Sequence, residues 1–226
     1  MKYLYKIGFM IKIKTFESNE NLQYEVKKAL KAAFMCSGQL MLSGGKTPYS
    51  IYNQIGSEKY TVNSNCKIFL SDERCVPFDS IDNNANNLIP MLTSLKIENQ
   101  FIRIKTEINP IDSANDYANE LKNFDNIHLG LLGIGLDGHT AGIFPNNSIN
   151  STKMLTLSTK RPDGYYGVSI SPIFIKRIKK IIMLVTGIEK KQILKIIKNN
   201  SKPTPAGTIA NSHHDTEIWT DIALED

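Results

Sequence analysis

Residues 128–145 read HLGLLGIGLDGHTAGIFP, where an apolar run over 127–132 leads into three glycines, an acid and a histidine. Of the four histidines, His139 alone sits directly beside an acid in a glycine-rich turn, an economical place for chemistry. Gly133, Gly135 and Gly138 allow a tight turn that backbone, side chain and ligand can approach closely. The pattern therefore predicts that Asp137 and His139 sit in a turn just beyond the carboxyl end of a buried strand, with a second apolar segment over 141–144. The same glycines spell G-x-G-x-x-G, but a dinucleotide site needs an acid about 20 residues further on. Residues 155–160, LTLSTK, supply none, and no nicotinamide or flavin is expected.

Two further segments carry reactive side chains. Ser43, Gly44, Gly45, Lys46, Thr47 and Pro48 combine a glycine pair, two hydroxyls and a cation ahead of a helix predicted over 48–55. Free N–H groups at a helix start beside a cation make an anion site, and a proline in the first turn suits that start. An ATP-binding P-loop is not expected, because Leu40 stands where its first glycine is required. Asp72, Glu73 and Arg74 follow consecutively, and in a pocket Arg74 offers a fixed fork to an oxygen that gains charge. His213 and His214 fall in a polar stretch, NSHHDTE, read as a solvated loop. With no compact Cys/His cluster, no metal is expected.

These segments need elements to hold them. Leu22, Val26, Leu30 and Phe34 share one stripe of a helix predicted over 21–34, with Ser18 or Asn19 as cap and Gly38 beyond its end. Apolar runs recur at 39–42, 67–70, 127–132, 154–157 and 181–185. Helical or loop segments lie between them, with a helical pattern through Tyr117, Leu121 and Phe124 before the third run and another through Ile193, Ile196 and Ile197 after the fifth. This alternation predicts an α/β fold, an open, mostly parallel, doubly wound Rossmann-like sheet with helices on both faces. Each chemistry-bearing segment follows a predicted strand, and ligands of such sheets bind outside the carboxyl ends of the strands. The three segments are therefore expected to converge on one pocket.

Length and charge narrow the classes. At 226 residues the chain is read as a single domain over 1–226 with room for a proper core. A net charge of +5 mildly favours anionic ligands, yet the lysines are dispersed without aromatic interleaving, so no nucleic-acid partner is expected. Cys36, Cys66 and Cys75 form no C-x-x-C pair and read as reduced, partly buried thiols of a cytoplasmic protein. The basic, apolar start, residues 1–16, is read as an edge strand rather than a signal peptide, with Met10 an alternative first residue. No apolar run is long enough to span a membrane.

Nearly the whole chain resembles the 6-phosphogluconolactonase family, the lactonase branch of the glucosamine-6-phosphate isomerase/6-phosphogluconolactonase superfamily. LSGGKTPYSIY at 42–52 is similar to its sugar-phosphate loop, SDERCVPFDSIDNNANN at 71–87 to its D-E-R-x-V-P segment, and LGIGLDGHTAGIFP at 132–145 to its G-x-G-x-D-G-H-T-A-S-L-F-P signature. LVTGIEK at 184–190 and EIWTDIALED at 217–226 resemble its closing pieces. Arg74, Thr140, Ile143 and Phe144 side with the lactonase branch, and the glutamate that an isomerase carries before the proline is missing. The chain departs from the family at Gly142, where a serine is usual, and at Ser80, where a histidine is usual, although Asn84 matches. It departs again at Gly167, where the family has an arginine expected to contact phosphate; Lys46, Lys190 or Arg161 is available to compensate.

The resemblance implies hydrolysis of a phosphorylated sugar lactone without cofactor or metal. His139 would be the base, with Asp137 or a backbone group fixing its tautomer, and Arg74 would stabilise the oxyanion or the leaving ring oxygen. Ser43, Gly44, Gly45, Lys46, Thr47 and Lys190 would hold the phosphate. Asp72, Glu73 and Asn84 would hold sugar hydroxyls or order Arg74, and Gly135 would line the site. A monomer or weak dimer is expected. Deamination of glucosamine 6-phosphate and non-catalytic sugar-phosphate sensing are the alternative readings.

Overall fold

A computed structural model describes residues 11–58, 60–145 and 153–224. Among them, parallel strands form a seven-membered sheet in the order β1 (Lys12–Thr15), β10 (Thr216–Thr220), β9 (Ile178–Val185), β6 (Ile127–Gly133), β2 (Gly38–Leu42), β3 (Cys66–Leu70), β5 (Phe101–Ile102). The central strands are buried along almost their whole length, Leu40–Leu42 and Leu129–Leu132 included, which is why they read as continuous apolar runs rather than alternating ones. Residues 1–10 of the expected N-terminal edge strand lie outside the described residues. Its remainder is β1, on the edge of the sheet.

The chain runs outward from β2 through β3 to β5, then returns to the other side of β2 with β6 and runs outward again through β9 to β10. Parallel crossovers are right-handed, so reversing direction sends the later connections to the opposite face of the sheet. The helices are α1 (Asn19–Phe34), α2 (Lys46–Ser57), α3 (Asn84–Leu95), α4 (Pro110–Leu121), α5 (Pro172–Ile175), α6 (Lys191–Lys198) and α7 (Pro205–Ser212). α2 packs against both α1 and α3, and α6 packs against α7. The reversal point, between β2 and β6, leaves a crevice at their carboxyl ends.

Local chemistry explains the helix starts. The Ser18 hydroxyl accepts from the Asn21 N–H to cap α1, and Asn83 and Thr204 cap α3 and α7 in the same way. Gly38 lies beyond the end of α1, whose last turn is closed at Met35, and opens β2.

The expected strand over 154–157 does not join the main sheet. It forms β7 (Thr156–Lys160), which pairs antiparallel with β8 (Tyr166–Ile170), and β8 pairs antiparallel with β4 (Asp72–Arg74) in a second, three-stranded sheet. A β-rich run looks the same in either sheet, and only the partner decides. The second apolar segment, residues 141–144, is a buried turn closed by the Thr140–Ile143 bridge. His213 is likewise no solvated loop residue. It is 3 % exposed, its Nε2 lies 2.7 Å from the Ile178 carbonyl, and its Nδ1 meets the Thr216 hydroxyl at 2.9 Å. Burial lowers its pKa, and it joins the end of α7 to β9 and β10 as a neutral ring. Cys36 is exposed, Cys66 buried and Cys75 between the two, all three free.

Candidate active site

A cavity of 460 Å³ opens at the reversal point. The loop after β2 lines it with Ser43, Gly44, Gly45, Lys46 and Thr47. β4 and the start of α3 add Asp72, Arg74 and Asn84, the loop after β6 adds Gly135 and His139, and the segment after β9 adds Lys190. The three segments singled out in the sequence do converge, although more than ninety positions separate Ser43 from His139. Two expected site residues, Asp137 and Glu73, stand behind this lining.

The loop after β6 is built around its histidine. Gly135 donates its N–H to the His139 carbonyl at 2.8 Å, Gly138 donates to the Gly135 carbonyl at 3.0 Å, and the Thr140 hydroxyl donates to the Gly133 carbonyl at 2.8 Å. Within this frame Nδ1 of His139 lies 2.5 Å from Oδ1 of Asp137. A side chain at Gly135 would collide with both the ring and that carboxylate, so this glycine is required by the histidine–aspartate pair itself. Burial pushes the Asp137 carboxyl pKa up, but the hydrogen bonds from the His139 N–H and ring outweigh it and leave the value lowered. An ionised Asp137 accepting from Nδ1–H leaves Nε2 of His139 as the free, basic nitrogen. The ring packs on Phe144, with centroids 4.7 Å apart, and its side chain is 31 % exposed on the cavity side.

In the loop after β2, α2 starts at Lys46 behind Gly45, whose φ of 119° favours glycine and which supplies no capping side chain. The first N–H groups of this twelve-residue helix therefore have no side-chain cap beside the Lys46 ammonium. The Ser43 hydroxyl is buried at the cavity with no hydrogen-bond partner among the described residues. The Thr47 hydroxyl is 2.8 Å from that of Thr186, which joins this loop to the segment after β9. Lys190 donates to the Ile134 carbonyl at 2.8 Å, and burial lowers its pKa against the opposing pull of Glu189 and Asp137.

Asn84 lines the cavity and is anchored at both ends of its amide. Its Oδ1 accepts from the Tyr49 hydroxyl at 2.6 Å, its Nδ2 donates to the Asp72 carbonyl at 2.9 Å, and Gly44 leaves room for its side chain. Tyr49 escaped the sequence reading. Its position one turn into α2, facing the start of α3, has no sequence signature, and burial raises its hydroxyl to about 12.

Glu73 does not face the cavity, so it cannot hold a sugar hydroxyl. It is completely buried, and its carboxylate accepts from the Arg74, Asn84 and Ala85 N–H groups at 2.9, 2.7 and 2.8 Å. It fastens β4 to the first turn of α3, and so fixes Arg74 and Asn84 relative to each other. Burial pushes its pKa up to about 7 against the downward pull of those bonds. Arg74 lines the cavity, donates from Nη1 to the Asp82 carbonyl at 3.0 Å and lies 3.6 Å from the Asp82 carboxylate. In total the lining carries four cations, Lys46, Arg74, Arg161 and Lys190, against two carboxylates, Asp72 and Glu189. The site therefore suits an anionic ligand.

A family profile described as glucosamine-6-phosphate isomerases/6-phosphogluconolactonase matches residues 17–219. The 6-phosphogluconolactonase of Haemophilus influenzae is 31% identical over 202 residues, covering 81% of this chain and 84% of that one. The Thermotoga maritima 6-phosphogluconolactonase is 30% identical over 171 residues, 73% of this chain and 76% of the relative. Its crystal structure superposes with a TM-score of 0.81 over 92% of this chain and 98% of that one, and the Shewanella baltica 6-phosphogluconolactonase with 0.82 over 94% and 100%. At 23% and 20% identity in those superpositions, the two structures speak to the fold.

Proposed function

The chain belongs to the glucosamine-6-phosphate isomerase/6-phosphogluconolactonase family, and we propose that it hydrolyses 6-phospho-D-glucono-1,5-lactone to 6-phospho-D-gluconate, the second step of the oxidative pentose phosphate pathway. The observation that carries this reading is the His139–Asp137 pair opening onto a cavity rimmed by four cations. A lactone is an activated ester, so a water molecule and one base suffice. Nε2 of His139 takes a proton from the water as its oxygen bonds to C1. Arg74 stabilises the oxyanion that forms there. The intermediate collapses by breaking the bond from C1 to the ring oxygen, which takes the proton back from the imidazolium as it leaves. The new carboxylic acid then ionises. Lys46 and the free N–H groups at the start of α2, with Ser43 and Thr47, receive phosphate oxygens, and Asp72 orients the sugar.

Deamination of an amino sugar is not favoured, since no glutamate precedes Pro145. Among the described residues no helix is long and apolar enough to cross a membrane. The reading extends to a single-domain cytoplasmic enzyme, a monomer or weak dimer, that acts on a small phosphorylated lactone and not on nucleic acid.

The test is hydrolysis of freshly generated lactone, corrected for spontaneous opening, by the wild type and His139→Ala, with glucosamine 6-phosphate in parallel. Fast opening that the variant loses supports the reading. Absent turnover with tight 6-phosphogluconate binding points to a sensor, and ammonia release from the amino sugar points to an isomerase; either outcome overturns it.

A further inference from the structure

Gly167 of β8 pairs with Arg74 of β4 across the antiparallel ladder, and residues opposed in such a pair project to the same face. A side chain at 167 would stand beside that of Arg74. The stem of Arg161 fills that space instead. A Cβ on Gly167 would lie 3.2 Å from Cδ and 3.6 Å from Cγ of Arg161, and 3.0 Å from the Glu73 carbonyl oxygen. Arg161 arrives from the turn after β7, which its own backbone closes by donating to the Tyr165 carbonyl at 2.9 Å and accepting from the Gly164 N–H at 3.1 Å.

The guanidinium is held before any ligand arrives. Nε donates to Asp163 Oδ2 at 3.1 Å, the group lies over the Phe144 ring at 5.3 Å, and the side chain is only 10 % exposed although it lines the cavity. Its other acidic neighbour, Asp72, is 3.8 Å from Nη1, attractive but too far for a hydrogen bond. Among the described residues the terminal N–H groups are therefore unspent. A planar fork with immobilised stem and unspent donors is arranged for an oxyanion.

We propose that Arg161, laid over the bare face of Gly167, is a specificity-determining residue that binds the phosphate of the substrate, and that Gly167 lacks a side chain because one would displace it. This rests on the lactonase reading above. The lactone carries no other charge, so phosphate is the anion available before the ring opens. The product gains a carboxylate at the opposite end, which is the competing source of negative charge.

Calorimetric titration of the wild type, Arg161→Ala, Arg161→Lys and Gly167→Ala with glucose 6-phosphate, gluconate and 6-phosphogluconate separates these sources, with lactone kinetics alongside. Arg161→Ala is expected to weaken glucose 6-phosphate and 6-phosphogluconate equally, by about 10- to 100-fold, to raise KM for the phosphorylated lactone by that factor, and to leave its kcat within a few-fold. Gly167→Ala should move the same quantities by less, and nothing further should be lost when it is added to Arg161→Ala, because both act through one side chain. If Arg161→Ala fails to fold, Arg161→Lys and Gly167→Ala carry the test. A folded Arg161→Ala with wild-type affinity for glucose 6-phosphate overturns the proposal, and so does a loss confined to gluconate and 6-phosphogluconate. Binding is read without turnover. A wild type that binds glucose 6-phosphate through Arg161 yet opens no lactone refutes the lactonase reading alone, whereas an active enzyme indifferent to Arg161 refutes this inference alone.

Discussion

Oδ1 of Asp137 accepts two hydrogen bonds from one residue, the backbone N–H of His139 at 3.0 Å and its ring Nδ1 at 2.5 Å. The first fixes the turn and the second fixes the ring, so one oxygen sets both the place and the tautomer of the imidazole. Aspartate two residues before the histidine is short enough to do both, with Gly138 between them at φ +82° completing the turn.

His139→Gln is expected to lower kcat on the lactone by about 10² to 10⁴-fold, the usual contribution of a positioned base, with KM nearly unchanged. Asp137→Asn should fall in the same direction, because an amide donating to Nδ1 favours the tautomer protonated at Nε2. Steady-state kinetics on both variants checks this, and normal kcat in either would remove that residue from the mechanism.

Gly135→Ala separates the pair from the fold. The added methyl would meet the imidazole and the Asp137 carboxylate rather than the core, and the φ of Gly135 is not in the left-handed region. The expected result is a kcat reduced at least tenfold, since misplacing a catalytic group by an ångström costs that much or more, with a thermal midpoint close to wild type. A large drop in midpoint with full activity would show that the glycine serves packing instead.

Glu73 gives a stability signature in pH. Its carboxyl is held near 7 in the folded chain against an ordinary 4.5, so the folded state binds this proton more tightly than the unfolded one. That contribution is complete below about 4.5 and is lost as pH rises through about 7, on the order of 3 kcal/mol. Glu73→Gln cannot ionise and lacks the slope, so the stability gap between wild type and variant should shrink from pH 4.5 to pH 8. Denaturant unfolding across that range measures the gap, and taking the difference cancels carboxylates with lowered pKa such as Glu107. A gap that widens with pH would mean that the three N–H bonds outweigh burial.

How much of this was legible in the sequence depended on how local each cause is. The Asp137–His139 turn, the Ser18 cap and the buried central strands follow from neighbours a few residues apart, and they were readable. Glu73 was not, because its three donors include Asn84 and Ala85, brought close only when α3 docks on β4. β7 reads as a strand of the main sheet for the same reason, since its actual partner, β8, meets it only in the folded second sheet. His213 looked solvated within NSHHDTE because its acceptor, the Ile178 carbonyl, lies 35 residues away. Arg161 was visible only as a spare cation, and the open face of Gly167 that receives its stem belongs to the folded second sheet.

Lys46→Ala tests the phosphate contact proposed at the start of α2. Lys46 is the first residue of α2, where free backbone N–H groups and the positive end of the helix already attract an anion. If the phosphate binds here as proposed, removing the ammonium is expected to weaken the contact without abolishing it. Because that contact is the same in the bound lactone and in the transition state at C1, its loss should appear as a higher KM, roughly tenfold, with kcat retained. The effect should shrink as salt rises, because an exposed charge is screened. Kinetics at low and high ionic strength on the phosphorylated lactone, beside glucono-1,5-lactone without phosphate, checks each step. If KM rises equally on both lactones, Lys46 contacts the sugar and the phosphate lies elsewhere; if kcat alone falls, Lys46 belongs with His139 and Arg74 at the reacting carbon.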